Sequence, residues 1–223
     1  MKGTSHVEKK GLWFSQNLMS GATMQSVEGK IVARIYGKGR GWSFCPKDFQ
    51  DLGGRSSIDD ALSNLCRKGT IRRVARGVYD YPRSSKALGM EAPPDLDQVA
   101  HALARNRGWS IQATGDWAAN LLGLSPQVPA KIVYLSTGPA KSVTVANTAV
   151  EFRPASPKDV QDGRPGLVIQ ALKGRGRERI DETTIQAIRE RITDSDCRKL
   201  RSMRRVTSWV YEAIRRICSE RHE

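Results

Sequence analysis

The sequence predicts an α+β protein, with an N-terminal winged helix-turn-helix followed by a small mixed sheet-and-helix C-terminal domain. Three observations predict it. From Gly41 to Pro82 a short strand, a short helix, a second helix and a basic hairpin follow in that order. A serine- and proline-containing passage from Ser84 to Pro94, with Pro93-Pro94 near its end, then breaks the pattern. Beyond it, strands around an asparagine-containing turn are interleaved with segments of helical period. The chain therefore divides into an N-terminal extension (1–23), the winged domain (24–83), a linker (84–94) and the C-terminal domain (95–223).

Residues 1–23 mix Lys9-Lys10 with Trp13-Phe14 and hold no sustained period, so weak order is expected, as an extension, a docking element or appended sequence. The first helix is expected over Ser26–Tyr36, where Val27, Ile31 and Ile35 step by four onto one face. Gly37-Lys38-Gly39-Arg40-Gly41 lacks the G-K-[ST] ending of a phosphate-binding loop and reads as a flexible basic turn. After the strand Trp42-Ser43-Phe44, Pro46 suits a first helical turn, and a helix through Leu52 is expected to stop at Gly53-Gly54. Ser56 and Ser57 each precede an aspartate by three residues, Asp59 and Asp60, which predicts a capping box at the start of the next helix. In that helix Ile58, Ala61, Leu62 and Leu65 share a core face, leaving Ser56, Asp60, Ser63, Asn64 and Arg67 on or beside the outer face. Gly69 closes it. Thr70–Val74 and Val78–Tyr81 alternate as two strands about Ala75-Arg76-Gly77, with Arg76 at the tip.

This order points to double-stranded DNA. A helix of about a dozen residues fits the major groove with its polar face, and arginines on a hairpin reach the flanking backbone. Arg55, Ser56, Asn64 and Arg67 are candidates for base edges or nearby phosphates, with Ser57 and Ser63 beside them, because arginine suits guanine and asparagine suits adenine. Lys47, Arg72, Arg73 and Arg76 are candidates for phosphate contacts that position the domain without reading sequence. Asp60 could accept a cytosine amino proton, pair with an arginine or favour a helix N-terminus; capping is the favoured role.

Gly41-Trp42-Ser43-Phe44-Cys45-Pro46-Lys47-Asp48-Phe49, Ala61-Leu62-Ser63-Asn64-Leu65 and the stretch from Gly69 to Pro82 also carry a resemblance. So do Ala118–Leu124 and Val128–Leu135. Over most of Met24 to Ile217 the chain resembles the AbiEi-type antitoxins of bacterial abortive-infection (type IV toxin–antitoxin) systems. The resemblance implies a winged helix that represses its own operon at repeated operator sequences, and a C-terminal region that counters a nucleotidyltransferase-like toxin.

Charge is uneven. Lys and Arg outnumber Asp and Glu 16 to 7 in residues 1–90, balance them 7 to 7 in 91–170, and exceed them 14 to 9 in 171–223, within a total of +14. Two separate basic surfaces on a polyanion fit this pattern. Charge alone also fits RNA or an anionic membrane surface, so the order of elements is what selects duplex DNA. The C-terminal domain is expected to hold a helix over Leu96–Asn106, strands near Trp109–Gln112, Lys131–Leu135, Ser142–Val145 and Ala149–Phe152, and a short helix over Asp116–Leu122. Helices near Gly166–Leu172, Glu182–Ile192, Asp194–Met203 and Ser208–Ser219 follow. In this tail Val206, Val210, Ala213 and Ile217 form a core stripe at helical spacing, while Arg198, Lys199, Arg201, Arg204, Arg205, Arg215 and Arg216 make a cationic surface, either solvated or facing a polyanion.

Nothing in the chain specifies catalysis or a cofactor. His6, His101 and His222 are isolated, and Asp194 and Asp196 read as a helix start rather than a metal pair. Cys45, Cys66, Cys197 and Cys218 contain no C-x-x-C pair, so reduced thiols are expected. The absence of a long apolar run or a secretory leader makes the cytoplasm the expected location.

Overall fold

The computed structural model describes residues 26–85, 89–161 and 163–219, so the extension over 1–23 lies outside the described residues. The fold is mixed α+β, with two hydrophobic clusters. The smaller cluster is built by α1 (Val27–Lys38), β1 (Ser43–Phe44), a 3₁₀ turn (Pro46–Phe49), α2 (Arg55–Arg67), β2 (Arg72–Ala75) and β3 (Val78–Asp80). Ser26 caps α1, its Oγ accepting from the Gly29 N–H at 3.1 Å. The four-residue step then buries Ile31 and Ile35 against Phe44, Phe49, Ile58 and Leu62. The three strands form an antiparallel sheet in the order β1-β3-β2, with Asp80 of the central strand opposite Ser43 on one side and Arg72 on the other.

Three local expectations are corrected. The helix expected from Pro46 to Leu52 is a 3₁₀ turn ending at Phe49, because its N–H groups bond three residues back, Asp48 to the Cys45 carbonyl at 3.0 Å, Gln50 to Lys47 at 3.3 Å and Leu52 to Phe49 at 2.8 Å, while the Asp48 carboxylate accepts the Cys45 N–H at 2.9 Å. The capping box of α2 does not form. Gly54 is the N-cap in extended conformation and Arg55-Ser56-Ser57 are already helical, so no acidic residue lies in the first turn and Asp60 stands in mid-helix. The glycine lets the helix start before the serines and costs little as a cap. The hairpin turns on two residues, Arg76 and Gly77, with Ala75 opposite Val78; Gly77 takes the left-handed backbone, φ 73°, that this turn demands.

In the segment expected as a linker, β4 (Ser84–Ser85) and β5 (Met90–Glu91) pair as a short antiparallel ladder. Asp95 then caps α3 (Leu96–Arg107), accepting the Asp97 and Gln98 N–H groups at 3.1 Å. This helix serves both clusters. Its Val99, Ala100 and Leu103 belong to the larger core, while it also packs on β1 and β3. Arg105 donates to the Asp48 carboxylate at 2.9 and 3.1 Å and to the Ser43 carbonyl at 3.0 Å. Val78 is buried within the larger core, and a Cβ on Gly77 would stand 2.9 Å from Asn106 Nδ2, so the hairpin tip rests on the end of α3.

The larger core lies between helices and a four-stranded sheet of β6 (Ile111–Ala113), β7 (Lys131–Ser136), β8 (Lys141–Val145) and β9 (Thr148–Pro154), in the order β6-β7-β9-β8. The β7–β9 pair is parallel and the other two are antiparallel. The β8–β9 hairpin turns on Ala146 and Asn147, both at positive φ (45° and 67°), one residue tighter than Ala146-Asn147-Thr148. Ile132, Tyr134, Val150 and Phe152 point into the core, covered by α4 (Gly115–Leu121) and α5 (Gly163–Arg175), with α6 (Glu182–Arg189), α7 (Asp194–Ser202) and α8 (Ser208–Cys218) beyond. Thr193 and Asp196 form the capping box of α7, bearing out the helix start expected there. Val210, Ala213 and Ile217 are buried as the expected stripe required, while Val206 lies before α8 and is half-buried.

The expectation of four reduced thiols is overturned. Cys197 in the first turns of α7 and Cys218 at the end of α8 are joined as a disulfide, Cα to Cα 5.8 Å, across 21 residues of sequence. Packing of α7 on α8 makes the pair, and spacing alone gives no sign of it. Cys45 is buried and free, and Cys66 is half-buried and free.

Asp80 is 1% exposed, and Arg72 meets it through two bonds, Nε to Oδ1 at 3.1 Å and NH2 to Oδ2 at 2.6 Å. Removing the arginine strands a buried carboxylate, while its own partly exposed position moderates the loss; Arg72→Ala should cost about 2–3 kcal/mol by urea unfolding. Arg72→Lys should restore only part of that, because an ammonium cannot meet both oxygens in plane.

Candidate nucleic-acid interface

The face opposite the core side of α2 is a single helical stripe. Ser56, Asp60, Ser63 and Arg67 follow at steps of four, three and four and are all exposed, while Ile58, Ala61, Leu62 and Leu65 are buried behind them. Ser57 is exposed beside the stripe. Asn64 lies on one flank, half-buried, and donates to Glu28 of α1 at 3.4 Å while accepting from Arg67 at 3.1 Å. Lys68 reaches the same glutamate at 2.5 Å and is the main cause that holds its carboxyl below the ordinary range. Asn64 thus anchors the flank of α2 to α1 and orients Arg67.

On the other flank Arg55 pairs with Asp59 at 2.6 Å, one turn on, and this bond raises the arginine's pKa. Arg73 stands on β2 opposite Tyr79, whose phenol is pushed up by burial and drawn down by the Arg73 charge. Burial raises the Cys66 thiol above its ordinary value, and the same arginine offsets part of that rise. Arg55, Asp59, Tyr79 and Arg73 therefore meet where α2 borders the hairpin. Lys47 is exposed on the 3₁₀ turn, and Arg76 is exposed at the hairpin tip. Among the described residues no ion pair holds Lys47, Arg67, Arg73 or Arg76.

Arg72 is the exception among the candidates for phosphate contact. Its guanidinium is engaged by Asp80 and by the Ala92 carbonyl at 3.1 Å, with Glu91 Oε2 3.5 Å from NH1, so it braces the sheet. Arg40 of the glycine-rich turn is likewise engaged, stacked over Tyr81 with its guanidinium carbon 4.6 Å from the ring centroid and donating to the Pro82 carbonyl at 2.8 Å. Three acidic residues that shape this surface, Glu28, Asp59 and Asp80, were not singled out for these roles in the sequence. Asp59 was legible from its four-residue step to Arg55, and Asp80 from the hairpin register; Glu28 needed the α1–α2 crossing.

Among the described residues no group of three or more His, Cys, Asp and Glu side chains could hold a metal ion, and no helix is long and apolar enough to cross a membrane. Fold and surface together define a mixed α+β protein that presents a basic helix-and-hairpin face. The chain matches across residues 30–200 the family described as DUF6088, a family of unknown function, and belongs to it. No curated protein matches the chain.

Beside this face, Arg34 of α1 grips the Asp51 carboxylate through two bonds, at 2.7 and 2.6 Å, and lowers its pKa from 3.8 to about 2. The folded value lies below the unfolded one, so the pair contributes above about pH 4 and is released as pH falls towards 2. An NMR titration should place the Asp51 midpoint near 2, and Arg34→Met should return it to the ordinary carboxylate range.

Proposed function

We propose that the N-terminal unit is a winged helix-turn-helix, with α2 as recognition helix and the β2–β3 hairpin as wing, and that the protein is a non-catalytic, cytoplasmic transcriptional autorepressor and antitoxin. The observation that carries the DNA reading is the exposed Ser56–Asp60–Ser63–Arg67 stripe on a 13-residue helix whose other face is core. A helix so mounted offers its polar side to the major groove, and Arg67, steadied by Asn64, is the side chain best placed for a guanine edge. Lys47, Arg73 and Arg76 supply phosphate contacts around it. The wing is short and its tip rests on α3, so it positions the domain rather than reading a groove. Asp60 in mid-stripe opposes phosphate and trims affinity for duplexes in general.

The antitoxin half rests on the resemblance to AbiEi-type antitoxins. Repression would come from occupying promoter DNA, and the C-terminal domain would counter a nucleotidyltransferase-like toxin. Co-expression with such a toxin encoded beside this gene should restore growth; continued toxicity would remove this half and leave the repressor.

A salt-dependent titration of DNA from upstream of the gene, with random duplex and matching RNA as controls, tests the DNA reading. Arg67→Ala should cost about 1–3 kcal/mol on upstream DNA and less on random duplex. Arg73→Ala and Arg76→Ala should each weaken all duplexes alike and lower the salt slope by about 1. Asp60→Asn should tighten binding to every duplex. Preference for RNA, or no binding at low salt, would overturn the assignment.

A further inference from the structure

Away from α2, a cavity of about 270 Å³ opens where α3, β6, α4 and α5 meet. Asp97 and His101 come from α3, Gln112 from β6, Leu121 from α4, and Arg164 and Leu167 from the start of α5. A neighbouring cavity of about 300 Å³ shares Leu121, Arg164 and Leu167. Three features distinguish this place from an ordinary packing gap.

Gln112 is only 4% exposed, and its Nε2 donates to the Ala113 carbonyl at 3.2 Å, yet its Oε1 has no hydrogen-bond partner. A buried acceptor without a donor costs about 1–3 kcal/mol, and an aliphatic residue would fill the same space without that loss. Gly166 in the first turn of α5 keeps room for the amide, since a Cβ there would collide with Oε1 and with the Gln161 carbonyl. Next, Asp97 is oriented from beneath: Tyr134 donates its hydroxyl to Oδ1 at 2.7 Å and itself accepts the Trp117 Nε1–H at 2.7 Å. Burial holds the Tyr134 phenol well above its ordinary pKa, so it remains a donor. Lastly, Arg164 lies in the first turn of α5, fixed by its bond to the Arg191 carbonyl at 2.5 Å, where a guanidinium and the positive end of the helix reinforce each other.

The cavity therefore offers the Asp97 carboxylate, with His101 Nε2 3.6 Å from it, positive potential at Arg164 and an apolar wall at Leu121 and Leu167, while the Gln112 oxygen is closed off behind Gly166. We propose that it binds a free amino acid, with the ammonium on Asp97, the carboxylate at Arg164 and the start of α5, and the side chain along Leu121 and Leu167. The ligand matches the site in charge, one anion and one cation for one cation and one anion. It also matches in size, because 270 Å³ lies just under the usual span of about 300–1,000 Å³ for drug-sized ligands. The inference does not depend on DNA binding and is measured without DNA.

Calorimetric titration of the full chain with L-leucine, L-methionine, L-phenylalanine and L-glutamine, each beside its N-acetyl and carboxamide derivatives, tests it, with guanosine as a comparison. At least one free amino acid should bind with one-to-one stoichiometry. Both of its derivatives should bind at least about tenfold more weakly, since each lacks one charge. Asp97→Asn, which keeps an acceptor for Tyr134, and Arg164→Met should each lower the affinity about tenfold. No binding by any of the four at about 10 mM, equal binding of the blocked derivatives, or tighter binding of guanosine would overturn the proposal. The derivative series on the unaltered protein decides the matter even where a variant fails to fold.

Discussion

The buried Asp80 carboxylate is the constraint on which the N-terminal unit depends. It sits on the central strand of a three-stranded sheet, and the group that neutralises it comes from a neighbouring strand. Arg72 does this from the directly opposed position, and its remaining capacity reaches the Ala92 carbonyl and the neighbourhood of Glu91 in the ladder that follows. The pair thereby fixes the register of the hairpin and ties the segment after it to the sheet. A one-residue slip would turn Asp80 and Arg72 to opposite faces and leave a carboxylate stranded in a basic chain.

From that sheet the order passes to α3 through a second charged joint. Asp48 accepts from the Cys45 backbone and from Arg105, and Arg105 also holds the Ser43 carbonyl, so the 3₁₀ turn, β1 and α3 are clasped together. The apolar contacts agree with this, since Val78 of the hairpin is counted in the core that α3 shares with the four-stranded sheet. The helix-and-hairpin face is thus mounted on α3, and α3 also supplies Asp97 and His101 to the cavity on its other side. One helix thus contributes to both places.

Much of the fold was legible because its signals are local. The four-residue steps of α1, the amphipathic register of α2, the alternation of β2 and β3, and the stripe of α8 each follow from a single period, and each element lies within a few residues of its expected span. What escaped depends on tertiary packing. A capping box and a glycine N-cap compete within three residues at Gly54–Ser57, and the sequence pattern does not rank them. The parallel β7–β9 pairing, the Cys197–Cys218 link and the Glu28 contact to Asn64 join segments whose proximity no local pattern encodes. For the candidate face, the exposed members Ser56, Ser63, Arg67, Arg73 and Arg76 were legible as residues on or beside an outer surface. The engagement of Arg72 by Asp80 escaped because strand alternation says which face a side chain takes, and says nothing of a buried acid across the ladder.

The central claim is that the exposed stripe of α2 is the surface that meets DNA. Photo-crosslinking from a benzoylphenylalanine placed at Ser63, compared with one placed at the exposed Lys141 on β8, measures this most directly. On radiolabelled upstream duplex at low salt, the probe at position 63 should give the crosslink and the probe at position 141 should not. A crosslink from position 141 alone, or from neither position under conditions where the protein shifts the duplex, would contradict the account.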